Sequence, residues 1–410
     1  MNSEVHMTNP FLSVWDNFNY ATTQYTNMWD ASVKVSSHAM QVYSQAWQEL
    51  FFAPQTLFKR NLDFFQEVTT PPLPDWRTTY VEVPLPPRFA AIIKLLDFSL
   101  ADQPDNQTLV PTLVLPPQAG HHSYIADYSV EQSQVQTLAQ SGLTRIYCVE
   151  WLSATPQTSQ TSIEDYIEAL RYCIKQIGGK ANLVGDCQGG WLAAIYAAIH
   201  PNTVHTLSVA GAPIDFQAGD GGIKQAVNLI SKSFPDGGMS FYRKLVEMGG
   251  GVLNGNFLIG GFNVMKPEQL PERYLDLYEN VHDPMALKRY REMKNWYDAA
   301  QDISGTFYLW LVEHLFRDNE LILGRLQVGG QTVDLKRISC PVFLLAGDRD
   351  HITPADQVFN MAYYISTPPD QIHKLLVKAG HIGLFMGKEP LAQAWLPLGQ
   401  KVAALSRHCR

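Results

Sequence analysis

The most constraining feature of the sequence is a glycine-flanked cysteine between an apolar run and a helical one. The run ANLV (181–184) has the length and composition of a buried strand, and WLAAIYAAI (191–199) has those of a buried helix. Between them stands GDCQGG (185–190). A chain that passes directly from a strand into a helix makes a sharp turn, whose neighbours must be small. The segment therefore predicts a strand, a tight turn that presents Cys187, and a helix.

A cysteine at such a turn is placed for nucleophilic chemistry. The N-terminus of the following helix lies beneath its sulfur, where the helix dipole and free N–H groups stabilise a thiolate and an oxyanion. We expect the Gln188 N–H to be one oxyanion donor. On this motif alone a second interpretation stays open, since a buried cysteine often serves only as a small apolar residue.

The rest of the chain alternates between predicted strands and helices. Six apolar runs predict buried strands: 112–115, 145–149, 181–184, 204–210, 341–346 and 373–377. Helical patterns lie at 163–177, 188–199, 355–365 and 389–405. This alternation predicts an α/β fold with a parallel sheet covered by helices on both faces.

Two further residues follow Cys187 in the chain order of a nucleophile–acid–histidine triad. The strand PVFLLA is followed by GDRDHITP, which carries Asp348 and Asp350, and the next strand is followed by KAGHIG, which carries His381. In the α/β-hydrolase arrangement the acid and then the histidine follow the nucleophile at strand ends. Position alone leaves both aspartates open as the acid, because Asp348 is also suited to hydrogen-bond its own turn.

The loop after the early strand TLVL contains candidate binding residues. Gln118 is placed to supply the second oxyanion donor, and Gly120 allows a tight backbone turn towards the site. His121 and His122 follow, but no carboxylate or cysteine accompanies them at metal-ligand spacing, so we expect no metal. His351, next to Asp350, is a candidate for lining the substrate site; a structural role is the alternative.

The alternation is interrupted between 214 and 337 by a segment rich in glycine and aromatic residues. An insertion at the carboxyl edge of a parallel sheet is expected to cap the active site. The sequence thus predicts a helical N-terminal region with a proline-rich linker (1–76), a core in two parts (77–213 and 338–410), and a cap insertion (214–337).

Large aromatic residues are concentrated in the N-terminal region, from Phe11, Trp15, Phe18 and Trp29 to Phe65. Met40, Tyr43, Trp47, Leu50 and Phe51 recur at helical spacing, and a second helix is expected after Pro54. Two interpretations remain open. The aromatic faces pack on the enzyme core or in a dimer, or they contact an apolar surface such as a polymer granule.

Composition excludes several classes of partner. The 410 residues have a net charge of −8 and no basic tract, so nucleic-acid binding is not expected. No apolar stretch has the length of a membrane span. Five dispersed cysteines and the polar start MNSEVHMTNP predict neither a disulfide framework nor a secretory signal, so we expect a cytoplasmic protein that needs no cofactor.

Cysteine in place of serine favours one kind of acyl chemistry. A thiolate attacks thioesters readily, and the acyl-enzyme that results is itself a thioester with enough free energy to acylate an alcohol. Transfer from a CoA thioester therefore suits Cys187 better than simple ester hydrolysis does.

These residues together resemble the polyhydroxyalkanoate synthase family, in particular its short class III catalytic subunit. The similarity runs through GDCQGGWLAAIYAAIHP, EQSQVQTLAQSG, GAPIDF, LAGDRDHITP and AGHIGLF, and spans about 109–405. It implies an α/β-hydrolase fold with Cys187 as nucleophile, Asp350 as the acid and His381 as the base. The implied substrates are (R)-3-hydroxyacyl-CoA and a growing polyester chain, with a granule surface and a second copy or partner subunit as further partners.

Other segments are similar to the intracellular polyhydroxybutyrate depolymerases, which also use cysteine on this fold. They are the loop AGHH (119–122) and GGFNVMKPEQ (260–269), and Ala355 stands where other synthase classes carry tryptophan. A depolymerase or thioesterase that uses the same triad is therefore the alternative to a synthase. A granule-binding protein on an inactive hydrolase scaffold is a third, which an intact triad argues against.

Overall fold

An eight-stranded sheet forms the centre of the structure, a computed structural model that describes residues 10–100 and 109–407, with side chains from residue 30 onward. Its strands are β1 (Val81–Val83), β2 (Ile93–Asp97), β3 (Thr112–Leu115), β4 (Ile146–Trp151), β5 (Ala181–Asp186), β6 (Val204–Ala210), β7 (Val342–Gly347) and β8 (Ile372–Val377). They lie in the order β1-β2-β4-β3-β5-β6-β7-β8. Only β2 runs antiparallel to its neighbours β1 and β4; the remaining pairs are parallel.

Helices follow most of the strands and occupy the long connections. They are α1 (Pro10–Phe52), α2 (Pro54–Thr69), α3 (Pro87–Ala90), α4 (Gln134–Gln140), α5 (Ile163–Gln176), α6 (Gln188–Ile199), α7 (Gly222–Ser233), α8 (Met239–Met248), α9 (Gly255–Met265), α10 (Gln269–Asn280), α11 (Pro284–Tyr297), α12 (Gly305–Trp310), α13 (Ala355–Phe359), α14 (His381–Met386), α15 (Lys388–Pro390) and α16 (Leu396–Arg407). Leu311–Arg317 and Leu391–Trp395 form π-helical turns. None of the described helices combines the length and apolarity that crossing a bilayer requires.

The predicted α/β-hydrolase fold is confirmed. The strands β3 and β6 have the predicted bounds, and the other four predicted strands begin and end within two residues of the expected positions. The sheet is mainly parallel, and the turn that bears Cys187 joins β5 to α6, the strand–turn–helix arrangement of this fold. The sequence reading missed β1 and β2, which are short and join the sheet at its antiparallel edge.

Burial explains why these strands and helices could be predicted from the sequence. Every residue of β5 and of β7 is buried, as expected for parallel strands with helices on both faces. In α6 the residues from Gln188 to Ala198 are all buried, so the helix is apolar on every side rather than amphipathic. The site-bearing turn thus lies between two elements that are fixed by the core.

The chain divides into two compact units. The described residues within 1–71 and 260–294 form unit 1, and those within 72–259 and 295–410 form unit 2. The segment predicted as a cap, 214–337, is shared between them, while the predicted division into 1–76, 77–213, 214–337 and 338–410 stays a prediction.

Unit 1 has its own small apolar cluster. Leu277, Val281 and Tyr290 pack with Phe64 and Val68 of α2. The N-terminal segment forms the helices α1 and α2, and α1 begins at Pro10, well before Met40, the first residue of the helical pattern in the sequence. The side chains of Phe11, Trp15, Phe18 and Trp29, and all of Cys409 and residues 1–9, lie outside the described residues.

Candidate functional site

Cys187 stands on a strained turn that only glycine neighbours allow. Its φ of 49° and ψ of −117° are rare for a residue with a side chain. The turn is held by its backbone N–H, which donates to the Ala210 carbonyl at 2.8 Å. A Cβ at Gly189 would lie 1.9 Å from the Leu115 carbonyl oxygen, and one at Gly185 would lie 2.5 Å from the Gly189 carbonyl oxygen. Both glycines are therefore required by close backbone approach.

His381 and Asp350 lie together after successive strands. His381 is the first residue of α14, which follows β8, and Asp350 follows β7. The His381 Nδ1 is 2.7 Å from the Asp350 Oδ2, and both residues are buried. The other carboxylate oxygen, Oδ1, accepts from the backbone N–H groups of Ile352 and Thr353, each at 2.9 Å. A carboxylate only accepts hydrogen bonds, so Nδ1 is the protonated nitrogen and Nε2 is the one left for the sulfur.

Asp348 makes different contacts. Its Oδ1 accepts from the Ala379 backbone N–H at 3.1 Å and lies 3.5 Å from the Arg349 guanidinium. The structure thus brings His381 to Asp350, whereas Asp348 joins the loop after β7 to the loop after β8.

The electrostatics of His381 favour its protonated form. Burial alone would lower the pKa of the imidazole, but the charge of Asp350 and the Cys187 sulfur, together with hydrogen bonds to both, hold that pKa well above its ordinary value. An imidazole that takes a proton easily beside a thiol is suited to form a thiolate–imidazolium pair. This arrangement can pass the proton of the thiol to the imidazole and leave a sulfur nucleophile.

The two glutamines expected at the oxyanion site are buried. Gln188 is the first residue of α6, so its backbone N–H is one of the free donors at that helix N-terminus. Gln118 lies in the loop after β3, and its side-chain Nε2 donates to the Tyr166 hydroxyl at 2.8 Å. Burial raises the pKa of Tyr166 to about 12, so this hydroxyl stays protonated. Its contact with Gln118 fixes part of the loop that the sequence assigns to oxyanion binding.

The two other loop residues singled out by the sequence are held by aromatic and backbone contacts. His121 stacks on Trp296 with ring centroids 4.5 Å apart, and burial lowers its pKa to about 4, so the ring is neutral. Gly120 has a φ of 88°, and a Cβ there would lie 3.0 Å from the Leu258 Cβ. The sequence reading did not find Trp296, because a tryptophan in a long helical segment carries no sign of its partner.

His351 contributes its backbone to a loop contact. Its carbonyl accepts from the Gly222 N–H at 2.8 Å, at the start of α7. This contact is structural, and the role of the side chain in substrate binding stays a prediction.

A potential metal-ligand cluster occurs away from Cys187. Among the described residues, His38, Asp276 and Glu279 of unit 1 are the one group whose ligand atoms lie close enough together to hold an ion. His38 Nε2 is already 2.8 Å from the Glu279 Oε2. The cluster is an ordinary ion pair between helices, and it does not bear on the expectation of a metal-free site at Cys187.

One buried carboxyl beside the nucleophile was not singled out by the sequence reading. Asp186, the last residue of β5, is fully buried, and one of its oxygens accepts from the Gln134 Nε2 at 3.1 Å. Burial raises the pKa of Asp186 to about 7. The available signal was the charged residue itself, which ends an otherwise uncharged strand.

Solved structures similar to this chain include enzymes of several activities. A monoacylglycerol lipase from Paleococcus ferrophilus is 16% identical with a TM-score of 0.45, and covers 72% of this chain and 97% of its own. A hydrolase from Pseudomonas aeruginosa PA01 is 15% identical with a TM-score of 0.46, and covers 80% of this chain and 98% of its own.

Several curated relatives carry the name "Poly(3-hydroxyalkanoate) polymerase subunit PhaC". The protein from Haloferax mediterranei is 27% identical over 284 residues, which are 66% of this chain and 54% of the relative. The protein from Allochromatium vinosum is 26% identical over 270 residues, 64% of this chain and 72% of the relative. That from Cupriavidus necator is 28% identical over 66% of this chain and 46% of its own length. The chain is thus a relative of these polymerase subunits, although it spans only about half the length of the first.

A family description matches most of the core. It is "Protein of unknown function (DUF3141)", and it matches residues 84–387. This range contains the turn at Cys187 together with Asp350 and His381. By this match over more than half of its length, the chain belongs to the DUF3141 family.

Proposed function

We propose that this chain is an acyltransferase that polymerises (R)-3-hydroxyacyl-CoA, such as 3-hydroxybutyryl-CoA, through a thioester on Cys187. The observation that carries the proposal is the environment of the buried His381 ring. The ring is hydrogen-bonded to Asp350, and both Asp350 and the Cys187 sulfur raise its pKa. The names of the curated relatives supply the class of product, a poly(3-hydroxyalkanoate), and the resemblance of the sequence supplies the CoA thioester as substrate.

The first half of the reaction loads the enzyme. His381 takes the proton of Cys187, and the sulfur attacks the thioester carbonyl of the acyl-CoA. The tetrahedral intermediate collapses as the CoA sulfur leaves with the proton from His381. The products are an acyl-Cys187 thioester and free CoA.

The second half forms the ester bond. His381 takes the proton from the 3-hydroxyl of an incoming acyl group, and the hydroxyl oxygen attacks the acyl-Cys187 carbonyl. An oxygen ester forms, the Cys187 sulfur leaves, and the proton returns to it from His381. Asp350 holds the ring in the required tautomer and stabilises the imidazolium in both halves.

The oxyanion of each tetrahedral intermediate needs fixed donors. We assign this role to the backbone N–H of Gln188 and to that of Gln118 in the loop after β3. Donors of this kind act strongly in a site where water is excluded, and removal of one costs about 100- to 1000-fold in kcat.

Synthesis also requires that water stay away from the acyl-enzyme. Cys187 is partly buried, and Phe307 of α12 packs against both Trp191 of α6 and Tyr166 of α5. The segment from 214 to 337 is assigned as the cap that limits water at the thioester. His121, Gly120 and His351 are assigned to its substrate-binding side.

We assign to the N-terminal helices α1 and α2 the role of binding the surface of a polymer granule in the cytoplasm. Several large apolar side chains of α1 and α2 are strongly exposed, among them Phe51, Phe52, Phe58 and Phe65. An insoluble polyester offers an apolar surface that such a face would cover. A second copy of the chain or a partner subunit is the competing occupant.

One assay separates synthesis from the alternative, degradation. Purified protein is incubated with 3-hydroxybutyryl-CoA, and both CoA release and turbidity are followed; a parallel sample receives native polymer granules. A synthase releases CoA together with a rise in turbidity. CoA release without turbidity indicates a thioesterase, and release of soluble acid from granules indicates a depolymerase.

Thiol labelling tests the nucleophile. Burial raises the pKa of Cys148 far above its ordinary value, and raises those of Cys173 and Cys340 to about 12, so these three stay unreactive thiols. Iodoacetamide followed by peptide mass mapping is expected to label Cys187 first and to abolish activity. Cys187→Ala is expected to lose several orders of magnitude in kcat, while Cys340→Ala keeps it. Full activity in Cys187→Ala would sink the mechanism.

A further inference from the structure

A buried carboxyl group ends the strand that leads into the nucleophile. Asp186 is 0% exposed and pairs with Ala210 of β6 at the carboxyl end of the sheet. Its Oδ1 accepts one hydrogen bond, from the Gln134 Nε2 at 3.1 Å. Its other oxygen, Oδ2, is buried and has no hydrogen-bond partner, and the same is true of the Gln134 Oε1. Both unsatisfied atoms of this pair are therefore acceptors.

Among the described residues, His381 is the one basic group whose charge acts on the pKa of Asp186. On the described elements packed against β5, neither β3 nor α6 carries a charged side chain, and His205 of β6 lies at the opposite end of its strand from Ala210. The ionisable groups that Asp186 affects or responds to are His381 of α14 and the buried Cys148 of β4. Asp127 and Glu150 act on that same thiol.

A proton on Asp186 removes the buried negative charge and also gives the unsatisfied Gln134 Oε1 a donor. An ionised carboxylate in a dry site is costly when its basic neighbour, His381, is hydrogen-bonded to another carboxylate, that of Asp350. An unsatisfied buried acceptor costs about 1–3 kcal/mol in addition. If Oδ2 carries a proton, it becomes a donor to the Gln134 Oε1, and the two side chains form a carboxylic acid–amide pair with two hydrogen bonds. Desolvation acts in the same direction, since it raises the pKa of Asp186 to about 7.

We propose that Asp186 works as a neutral carboxylic acid paired with Gln134, and that its ionisation slows the reaction at Cys187. The reason is electrostatic. The reaction gathers negative charge on the sulfur and on the oxyanion, and a carboxylate on the adjacent residue opposes that charge. Its negative charge also holds the proton on His381, which opposes the return of that proton to the leaving CoA sulfur. Asp186 is a positioning residue that acts through Cys187 and His381, and this role rests on the proposed function.

The test is the pH profile of kcat for CoA release from 3-hydroxybutyryl-CoA between pH 6 and 9. We expect the rate of the wild-type protein to fall towards about a tenth for each pH unit above the ionisation of Asp186. Asp186→Asn preserves the shape and both hydrogen bonds of the neutral pair but cannot ionise, so this alkaline fall is expected to be absent from its profile. An unchanged alkaline fall in Asp186→Asn overturns the proposal.

A second measurement does not depend on activity. Infrared spectra of the wild-type protein near pH 6 are expected to show the carbonyl band of a protonated carboxylic acid, which disappears near pH 9. The band is expected to be absent from Asp186→Asn and present in the matched variant Asp127→Asn, whose carboxyl is held by Arg77 and Thr78 instead. A wild-type protein without this band overturns the proposal, even if the chain proves to be a hydrolase.

Discussion

The carboxylate of Asp350 has one oxygen hydrogen-bonded to the backbone and the other to the His381 ring. Two backbone N–H groups fix Oδ1, so Oδ2 is held in one direction, towards His381. Asp348, two residues earlier, is bonded to the Ala379 backbone. The two aspartates therefore have separable roles. Asp350 orients the His381 ring, and Asp348 holds the loop that follows β8.

Substitution of each aspartate by asparagine separates these roles. We expect Asp350→Asn to lose about 1000- to 10,000-fold in kcat, because an amide can hold the ring in the wrong tautomer and does not stabilise the imidazolium. Asp348→Asn keeps an acceptor for Ala379, so we expect less than a tenfold loss. Steady-state kinetics on both variants are the measurement. The reverse order of the two losses would make Asp348 the acid.

At the scale of elements, the fit between β3 and α6 is set by a backbone contact. Gly189, in the first turn of α6, approaches the carbonyl end of β3 so closely that no side chain fits between them. Since both elements lie in the core, neither can shift to make room. The glycine is therefore a packing requirement as well as a requirement of the turn.

Gly189→Ala is expected to destabilise the protein by more than about 3 kcal/mol, because its Cβ would meet the Leu115 carbonyl oxygen. The matched control is Gly260→Ala in α9, where no atom lies within 4 Å of the added Cβ. Alanine favours a helix over glycine, so this control changes stability by about 1 kcal/mol or less. Urea unfolding of both variants measures the difference. Equal stabilities would mean that the chain relaxes around Gly189.

The helix α2 carries neighbouring aromatic residues in opposite environments. Phe65 is 62% exposed, whereas Phe64 packs against Tyr278 with ring centroids 5.4 Å apart. Exposed and packed aromatic residues on one helix allow surface binding to be distinguished from a structural role.

Replacement of the exposed residues is expected to weaken granule binding alone. In the variant Phe51→Ser, Phe58→Ser, Phe65→Ser, we expect a smaller fraction of protein to sediment with polyester granules and unchanged turnover of soluble 3-hydroxybutyryl-CoA. Phe64→Ser is the control, and it is expected to lower the unfolding temperature because it opens the cluster around Leu277. If the triple variant loses a dimer in solution instead, the face is a subunit interface.

At the scale of the whole molecule, several histidines that are at least partly buried contribute to the response of stability to acid. The pKa values of five histidines are lowered mainly by burial: His121, His122, His200, His205 and His373. Each binds a proton more readily in the unfolded chain, so the free energy of unfolding rises with pH up to about 6.5. For His121 the window runs from about 4 to about 6.5. Asp186 acts in the opposite direction, since its raised pKa removes stability as the pH rises towards about 7.

Unfolding experiments at a series of pH values test this sign. In His121→Gln, the slope of the free energy of unfolding between pH 4.5 and 6.5 is expected to fall by about 1.4 kcal/mol per pH unit, the equivalent of one proton. His200→Gln, at a more exposed site, is expected to change it less. An unchanged slope in His121→Gln would show that the ring is protonated in the folded protein.

The sequence by itself determined the fold class and the order of the residues around Cys187. Parallel strands that are buried on both faces consist mainly of apolar residues, so β3 and β6 could be predicted without tertiary information. The same holds for the helix α6, which is apolar on every side. The glycine pattern of the turn is equally local, because it follows from steric clashes over a few residues.

Only the tertiary structure decided which side chains meet. The bond between His381 and Asp350, the contact of Trp296 with His121 and the pair of Asp186 with Gln134 each join residues that are distant in the chain. Contacts between such distant residues cannot be predicted from the local sequence. A carboxyl group is expected to be charged until its burial is known. Desolvation depends on everything packed around a group, which is why the protonation of Asp186 follows from the fold and not from its place in GDCQGG.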